Sequence, residues 1–566
     1  MANGTRFSGF MTAPSDGPAL RRDWFAVALC ALAVFFVAHR LGLASPCVVN
    51  DDVRQQLFWM ARWLDPSLYP SDLLGDYAAA YVPPALKALY YAAAKGSGID
   101  PLAFSKWLTG GLFVVLALAF FGMGAALEGR MLGFVCAAMA CCLPYFIKSI
   151  SGGLSRSFAP PFLALFFLAW VRRSGLGMAL SLLAQALFIP YIAVLCAFCA
   201  CCDVFWARIT DREAGVFPAR PWHGAALLAA AALVWAFNHG LTTAGFGPLV
   251  GRKTLAAAPE FSAAGRLDLY PLPNPFFDLV YWPFESIGLF LDIGLFAGIV
   301  SLAVLLPFLV IGLRRAPWPQ LASRAGRQAA ALLVGSLLLY VLARIVALRL
   351  FVPDRYIAYT VNMLYALGLA VALRHALARP LAAPAGRAAL CVAALALGMW
   401  RLSGAGLYDY RADAPLYAAV ARLPKDALLA GNPKLLDNVL TFGRRNVVAS
   451  YELAHPWSTG YWAMYYPRLA HQAEAYYAKD PAMVLDFARA YGVTHMVVRE
   501  ADLTPGAAVK GPLFAPFDAR IAALAATPGK FALLDAAKFP YTSPEPGVRL
   551  VDLRPLLSEK TPAAAP

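Results

Sequence analysis

Apolar residues in this chain are gathered into eleven runs, which are separated by shorter polar segments. Most runs approach the length of about 20 residues that a helix needs to cross roughly 30 Å of hydrocarbon. The predicted membrane spans are residues 24–43, 106–126, 131–147, 158–172, 175–187, 188–205, 223–241, 286–312, 328–347, 357–373 and 388–402. The pattern therefore predicts an α-helical polytopic membrane protein with about 11 transmembrane helices.

Arginine clusters at alternating ends of these runs set the predicted orientation. The first run follows Arg21 and Arg22. It is too long for a signal peptide and lacks a small-residue cleavage site, so we interpret it as a retained anchor. An odd number of spans predicts a multi-pass plasma (inner) membrane protein whose N-terminus is cytoplasmic and whose C-terminal part is extracytoplasmic. The predicted side of the C-terminal part depends on the region 175–205. One long span there, rather than two around Pro190, would reverse the topology of everything that follows.

The net charge of +15 belongs mainly to the membrane part of the chain. Residues 403–566 carry 17 Lys and Arg against 15 Asp and Glu, a net charge of +2, which leaves +13 for the rest of the chain. Basic residues in short loops between apolar spans are the positive-inside bias of membrane proteins. This distribution argues against a nucleic-acid partner.

The periodicity of the chain changes after Trp400. Short β-like runs then alternate with helical stretches such as 481–491, which predicts an extracytoplasmic α/β domain over 403–560. The predicted strands are residues 427–430, 446–450, 495–498, 531–534 and 548–553. The chain thus divides into a transmembrane domain, 1–402, this α/β domain, and a Pro- and Ala-rich tail, 561–566, that is predicted to be disordered.

Residues 45–105 form the first extracytoplasmic loop, which is long enough to build a site. Asn50 is predicted to cap a helix, and a second helix is predicted over 84–95. The apolar stripe of the first helix consists of Val53, Leu57, Met60 and Leu64. Such a stripe is typical of a helix that lies on the membrane surface.

Asp51 and Asp52 are paired carboxylates directly outside the first span. A carboxylate held at the membrane interface can act as a general base or as a metal ligand. Acidic residues in the first turn of a helix also simply complement its dipole, and the sequence leaves this second interpretation open.

Four basic residues are predicted on the same side of the membrane as the acid pair. They are Lys148, Arg156, Arg349 and Arg355. Arginines at the level of the lipid headgroups can bind a phosphate through two parallel hydrogen bonds. These four basic residues are predicted outside the cytoplasm, which is contrary to the positive-inside bias. The alternative is that they reach water or pair locally, as Arg355 can with Asp354.

The segment 450–462 combines aromatic and polar side chains in the predicted α/β domain. Its candidate substrate-contacting residues are Tyr451, Glu452, His455 and Trp457. Aromatic rings stack on sugar faces while Glu and His supply hydrogen bonds, so the segment can cover a carbohydrate site. An amphipathic loop that docks the domain onto the membrane explains the same residues.

These features together resemble the GT-C superfamily of integral-membrane glycosyltransferases, which includes protein O-mannosyltransferases and aminoarabinose transferases. The matching elements are Asn50-Asp51-Asp52 after the first span, the helical first loop, the turn 153–158 before the fourth span, the turn 353–356, and a C-terminal α/β domain. The similarity covers nearly the whole chain in architecture. The absence of a sequon-reading WWD-type motif argues against an oligosaccharyltransferase.

The resemblance implies an inverting transfer of a sugar from a polyprenyl-phosphate or polyprenyl-diphosphate donor to an extracytoplasmic lipid, glycan or protein acceptor. It implies that Asp51 or Asp52 deprotonates the acceptor or holds a divalent cation, Mg²⁺ or Mn²⁺. Arg156 and Arg355 would hold the departing lipid phosphate.

A non-enzymatic membrane protein, either a transporter of lipid-linked sugars or an envelope-assembly factor, is the competing interpretation. A transporter is expected to show internal hydropathy repeats and matched helix breaks. The chain shows only the break at Pro190, so the sequence favours the enzyme.

Overall fold

The computed structural model describes residues 17–70, 72–209, 217, 220–283, 295–504 and 513–558. The predicted tail, 561–566, lies outside these residues. Each predicted span coincides at least partly with a helix. These helices are Gly17–Ala44, Pro101–Glu128, Arg130–Cys142 with Pro144–Ile150, Ala159–Val171, Gly175–Phe188, Pro190–Ile209, Pro221–Thr243, Leu295–Arg315, Arg327–Val346, Arg355–Ala376 and Pro384–Arg401.

Six described helices are long and apolar enough to cross a membrane, which makes the chain a multi-pass membrane protein. A seventh span results if Arg130–Cys142 and Pro144–Ile150, which meet at an angle of 63°, are counted as one. The count of eleven spans stays a prediction. The break that was predicted near Pro190 is present, since one helix ends at Phe188 and the next begins at Pro190.

The helix bundle has central and peripheral helices. In Pro101–Glu128 and in Arg355–Ala376, 67% of the most apolar window is buried, whereas in Pro221–Thr243 only 11% is buried. Close packing at the centre depends on small residues. A Cβ atom at Gly124 would lie 2.6 Å from the carbonyl oxygen of Leu132, so only glycine allows the second and third helices to approach this closely.

The first loop folds into short helices rather than one surface helix. They are the α-helices Val53–Gln56, Leu73–Tyr81 and Pro84–Ser97 and the 3₁₀ helix Phe58–Trp63. The predicted stripe is buried at Val53, Leu57 and Met60, which are at most 1% exposed. The short helix 53–56 packs against the helix Pro433–Phe442, so the expectation of a helix on the membrane surface is wrong.

The C-terminal part carries a five-stranded mixed sheet. Its strands are β3 (Leu428–Gly431), β4 (Asn446–Val447), β5 (His495–Arg499), β6 (Tyr541–Glu545) and β7 (Val548–Asp552). Their order in the sheet is β4-β3-β5-β7-β6. Strands β4, β3 and β5 are parallel, while β7 is antiparallel to both β5 and β6. The helices around it are Ala414–Ala421, Pro433–Phe442, Thr459–Tyr476, Pro481–Tyr491, Phe517–Ala526 and Arg554–Ser558.

One strand prediction in this part is wrong. Residues 532–534 form a 3₁₀ helix, and the fifth strand lies instead at Tyr541–Glu545, where the chain reads Tyr-Thr-Ser-Pro-Glu. This strand is at the edge of the sheet and mostly exposed, so it lacks the apolar run on which the prediction relied. The proline within it is compatible only with such an edge position.

The first loop and the C-terminal part are joined by backbone and side-chain contacts. Strand β1 (Val48–Val49) pairs with β2 (Tyr408–Asp409) in an antiparallel ladder. The Tyr69 hydroxyl donates a hydrogen bond to the carbonyl oxygen of Leu440 at 2.5 Å. Lys425 pairs with Asp65 at 2.6 Å. These contacts hold the first loop against the C-terminal part.

Candidate active site

Asp51 and Asp52 meet a third carboxylate, Glu452, which comes from a distant part of the chain. One carboxylate oxygen from each residue lies within 4.8 Å of the other two. We call these residues the acid triad. The side chains of Asp51 and Asp52 are 36% and 30% exposed, so a ligand can reach them. The segment 450–462 therefore supplies an acid to the predicted pair.

Arg156 is the predicted basic residue that the structure places at the acid triad. Its guanidinium group lies 3.1 Å from Asp52 and donates a hydrogen bond of 2.7 Å to the side-chain oxygen of Asn50. A turn at Gly152 and Gly153 makes this approach possible. Gly152 has a φ of +97°, and a Cβ atom there would lie 2.9 Å from the Cβ of Asn50. Glycine is therefore required at this position.

Arg54 is a second arginine at the triad, and the sequence analysis did not identify it. It is 6% exposed, forms an ion pair with Asp51, and lies 3.5 Å from Glu452. It also donates a hydrogen bond of 2.9 Å to Asn438. A buried arginine that contacts the first loop and the C-terminal part holds the carboxylates of both in one place.

Other groups fix the orientation of individual carboxylates. The Tyr410 hydroxyl donates to Asp51 at 2.6 Å, and the Gln55 amide donates to Asp52 at 2.9 Å. Arg266, from the segment 242–285, lies 3.2 Å from Glu452. Each carboxylate is thus held by neutral or basic donors, which keeps its position defined without a bound ligand.

Carboxyl groups outnumber guanidinium groups at this site. Among the described residues, four carboxyl groups meet three guanidinium groups: Asp51, Asp52, Asp437 and Glu452 with Arg54, Arg156 and Arg266. Burial raises the pKa of Glu452, while Arg266 opposes this rise. Burial also raises the pKa of Asp437, while Arg54 acts in the opposite direction. A cationic ligand would relieve the cost of confining these charges together.

The donor set at the triad fits a divalent cation. Mg²⁺ and Mn²⁺ prefer carboxylate oxygens, and three are available within 4.8 Å of one another. Tyr410 and Arg54 both donate to Oδ1 of Asp51, so Oδ2 is the oxygen left for a metal ion. Each oxygen of Asp52 has one described contact and keeps capacity for another. The existing contacts of Asp51 and Asp52 are therefore compatible with a metal ion.

His455 is buried behind the triad. Its Nε2 lies 2.8 Å from the side-chain oxygen of Gln55, and its Nδ1 lies 3.0 Å from the hydroxyl of Tyr77. Because an amide oxygen can only accept, Nε2 donates to Gln55, which in turn donates to Asp52. Burial holds the pKa of His455 far below its usual value. A neutral histidine thus orients Gln55 beneath Asp52.

Tyr451 and Trp457 extend an aromatic surface from this site. The guanidinium group of Arg266 lies 4.3 Å from the centre of the Tyr451 ring. The Trp457 ring stacks on His455 with 4.0 Å between centroids. Both rings are partly exposed, which leaves them available to a ligand.

The structure places the other three predicted phosphate-binding residues, Arg355, Arg349 and Lys148, on different elements. Arg355 begins the helix Arg355–Ala376 and lies 3.9 Å from Asp354, its carboxylate partner among the described residues. Arg349 is exposed in the preceding turn, and Lys148 is exposed on the helix Pro144–Ile150. Three tyrosines surround Arg355: Tyr145, Tyr191 and Tyr359. Arg355 and these tyrosines form a basic and aromatic cluster.

No protein-family model and no curated protein sequence matches the chain. Solved structures do resemble it. The oligosaccharyltransferase of Archaeoglobus fulgidus in its apo form has a TM-score of 0.49 and 13% identity, over 89% of this chain and 72% of that one. The same organism's oligosaccharyltransferase AglB, in complex with an inhibitory peptide and a dolichol-phosphate, has a TM-score of 0.48 and 12% identity, over 86% of this chain and 71% of that one.

A third similar structure is the arabinofuranosyltransferase AftD from Mycobacteria. It has a TM-score of 0.43 and 16% identity, over 86% of this chain and 37% of that one. The similarity of these three structures to the chain is one of fold, at TM-scores below 0.5.

Proposed function

We propose that this chain is a membrane glycosyltransferase that moves a sugar from a polyprenyl-phosphate or polyprenyl-diphosphate donor to an extracytoplasmic acceptor. The observation that carries the proposal is the contact of Arg156 with Asp52 inside a partly exposed acid triad. Transfer of a sugar from a phosphate needs a negatively charged base and a positively charged group in one place. A base must take the proton of the acceptor, and fixed positive charge must stabilise the phosphate that leaves.

In the proposed reaction, the acceptor oxygen or nitrogen attacks the anomeric carbon of the sugar and forms the new glycosidic bond. The bond from that carbon to the phosphate oxygen breaks, and the lipid phosphate leaves with the electron pair. Asp52 takes the acceptor's proton, while Tyr410 and Arg54 hold Asp51 beside it. A single displacement of this kind inverts the anomeric configuration.

Arg156 is proposed to bind the departing lipid phosphate, because its contacts to Asp52 and Asn50 already point it into the site. Arg355, Arg349 and Lys148 are proposed to bind phosphate further along the donor. A diphosphate donor carries a second phosphate group that these residues would bind.

A divalent cation, Mg²⁺ or Mn²⁺, is proposed to be held by Asp51, Glu452 and the oxygen of Asp52 that does not take the acceptor's proton. When bound, it would neutralise charge on the departing phosphate as a Lewis acid. Tyr451 and Trp457 are proposed to contact the substrate through their partly exposed rings. His455 is proposed to act through Gln55, since both of its ring nitrogens are hydrogen-bonded to protein groups.

Replacing Arg156 by alanine is expected to weaken donor binding by roughly 10- to 100-fold, the usual consequence of losing a hydrogen bond to a charged group. The measurement is the dissociation constant of the purified protein for a polyprenyl-phosphate sugar. Arg422→Ala, which removes an exposed arginine of the C-terminal part, is the matched control and should bind like the wild type. Equal donor affinity in wild type and Arg156→Ala would remove this arginine from the phosphate site.

The proposed function is tested by donor consumption. Purified protein is reconstituted into vesicles made from native membranes, which supply the acceptor, and is given a panel of labelled polyprenyl-phosphate and polyprenyl-diphosphate sugars. We expect one donor to be converted to the free lipid phosphate or diphosphate, with its label moved to an acceptor. If no donor in the panel is consumed or bound, the proposal is wrong.

An outer location of the C-terminal part is required, because the donor sugar must meet an extracytoplasmic acceptor. In a cysteine-free parent, Ala537→Cys places a thiol at an exposed position of this part, and Gln320→Cys places one in a loop that is predicted to be cytoplasmic. A membrane-impermeant maleimide should label intact cells at position 537 and leave position 320 unlabelled. The reverse pattern would mean that the topology is inverted.

A further inference from the structure

An apolar cavity lies at the opposite end of the bundle from the acid triad. Its volume is about 830 Å³, and it is lined by residues of the helices Gly17–Ala44, Arg130–Cys142, Arg355–Ala376 and Pro384–Arg401 and of the segment after residue 376. The first helix contributes residues from Ala26 to Val34, in its N-terminal half, whereas the acid triad follows its C-terminal end. The cavity is therefore separate from the proposed active site.

The walls of this cavity are almost entirely hydrocarbon and thiol. Among the described residues that line it, Arg130 and Arg387 are the charged ones. An engineered apolar cavity of about 150 Å³ already stays dry and binds benzene. This cavity is several times larger and is half open to its surroundings, so in a protein that crosses a membrane it is expected to take up hydrocarbon chains from the lipid beside it.

The two arginines differ in how their charges are balanced. Arg130 donates to both oxygens of Asp23, at 2.5 and 2.6 Å. Arg387 donates to the backbone carbonyl oxygens of Leu381 and Ala382, at 3.3 and 3.1 Å, and has no carboxylate partner in the described part of the chain. The exposed guanidinium group of Arg387 thus has no carboxylate against it among the described residues, and its single positive charge matches the single negative charge of a phosphodiester.

We infer that this cavity is a binding site for an anionic phospholipid, with an acyl chain inside it and the phosphate against Arg387. Basic pockets between transmembrane helices are a recognised mode of binding anionic headgroups. The inference does not depend on the proposed glycosyl transfer, since the cavity shares no residue with the acid triad.

The headgroup is tested by native mass spectrometry of the full-length protein, delipidated and then mixed with palmitoyl-oleoyl phosphatidylglycerol or with phosphatidylcholine of the same chains. We expect one phosphatidylglycerol to be retained with an affinity roughly tenfold above that of phosphatidylcholine. Arg387→Ala should abolish this preference. Arg379→Ala, an exposed arginine nearby that does not line the cavity, should keep it.

The chain-binding part of the cavity is tested by filling it. Ala138→Trp places an indole in the lining, whereas Ala389→Trp places the same group on an exposed face that does not line the cavity. Ala138→Trp should lower retention of both lipids at least about tenfold, because an apolar site binds in proportion to the chain area it covers. Ala389→Trp should retain both. The inference is overturned if Arg387→Ala and Ala138→Trp both retain phosphatidylglycerol like the wild type, or if added polyprenyl phosphate displaces it.

Discussion

Asp52→Asn is expected to lower the rate of sugar transfer by about 10²- to 10⁴-fold, the range typical of losing a general base. Asparagine has the same size, and its side-chain oxygen can still accept the hydrogen bond from Gln55, so folding should be nearly unchanged. Arg156 remains in place, and the donor lipid should therefore bind as in the wild type. The measurement is product formation by purified protein at saturating donor.

Asp51→Asn is expected to lower the rate over the same range, because it removes a carboxylate of the same triad. The matched control is Asp76→Asn, in the same loop, where the side chain is 53% exposed and its ion-pair partner among the described residues is Arg62, at 3.7 Å. This variant should keep wild-type activity. Wild-type turnover in both triad variants would mean that Asp51 and Asp52 only complement a helix dipole and take no part in catalysis.

Arg54→Met is expected to abolish transfer and to lower the free energy of unfolding by about 3–5 kcal/mol, as when one member of a buried charge network is removed. Methionine keeps much of the apolar volume but leaves Asp437 and Glu452 without their shared guanidinium group. Thermal unfolding in detergent measures the change in stability, and donor consumption measures the change in activity. Arg62→Met, in which a half-exposed ion pair is lost, should cost at most about 1 kcal/mol.

The loss of stability in Arg54→Met should depend on pH. Burial raises the pKa of Asp437 above its unfolded value, and Arg54 opposes this rise in the wild type. Without Arg54 the folded pKa is higher still, so the folded state binds more protons than the unfolded state over a wider range. The free energy of unfolding then falls as pH rises, and the variant's loss of stability relative to the wild type should be larger at about pH 8 than at about pH 5. An equal loss at both values would mean that Arg54 does not act on Asp437.

The sequence predicted the membrane class, the C-terminal mixture of helices and strands, and the residues Asp51, Asp52 and Arg156 that the structure brings together. These signals are local. An apolar run of about 20 residues implies a membrane helix, and an acid pair at the end of such a run is confined near the membrane surface.

The rest of the site depends on contacts between distant parts of the chain. Glu452 was predicted to contact substrate, but it joins the acid pair about 400 positions earlier, which no local pattern indicates. Arg54 lies next to an apolar stripe that faces the C-terminal part instead of lipid, and only the structure supplies its partners. Tyr410 and Arg266 carried no signal, because an isolated tyrosine or arginine in a loop is usually exposed to solvent.

The proposed function requires a lipid phosphate and a sugar to bind between Arg156 and the acid triad. The most direct measurement is an electron cryomicroscopy structure of Asp52→Asn with an intact polyprenyl-phosphate sugar, which that variant should bind without turnover. We predict a phosphate oxygen about 3 Å from the Arg156 guanidinium group and the anomeric carbon beside residues 51 and 52. A phosphate more than about 15 Å from these carboxylates would contradict the account, since reacting groups must be nearly in contact.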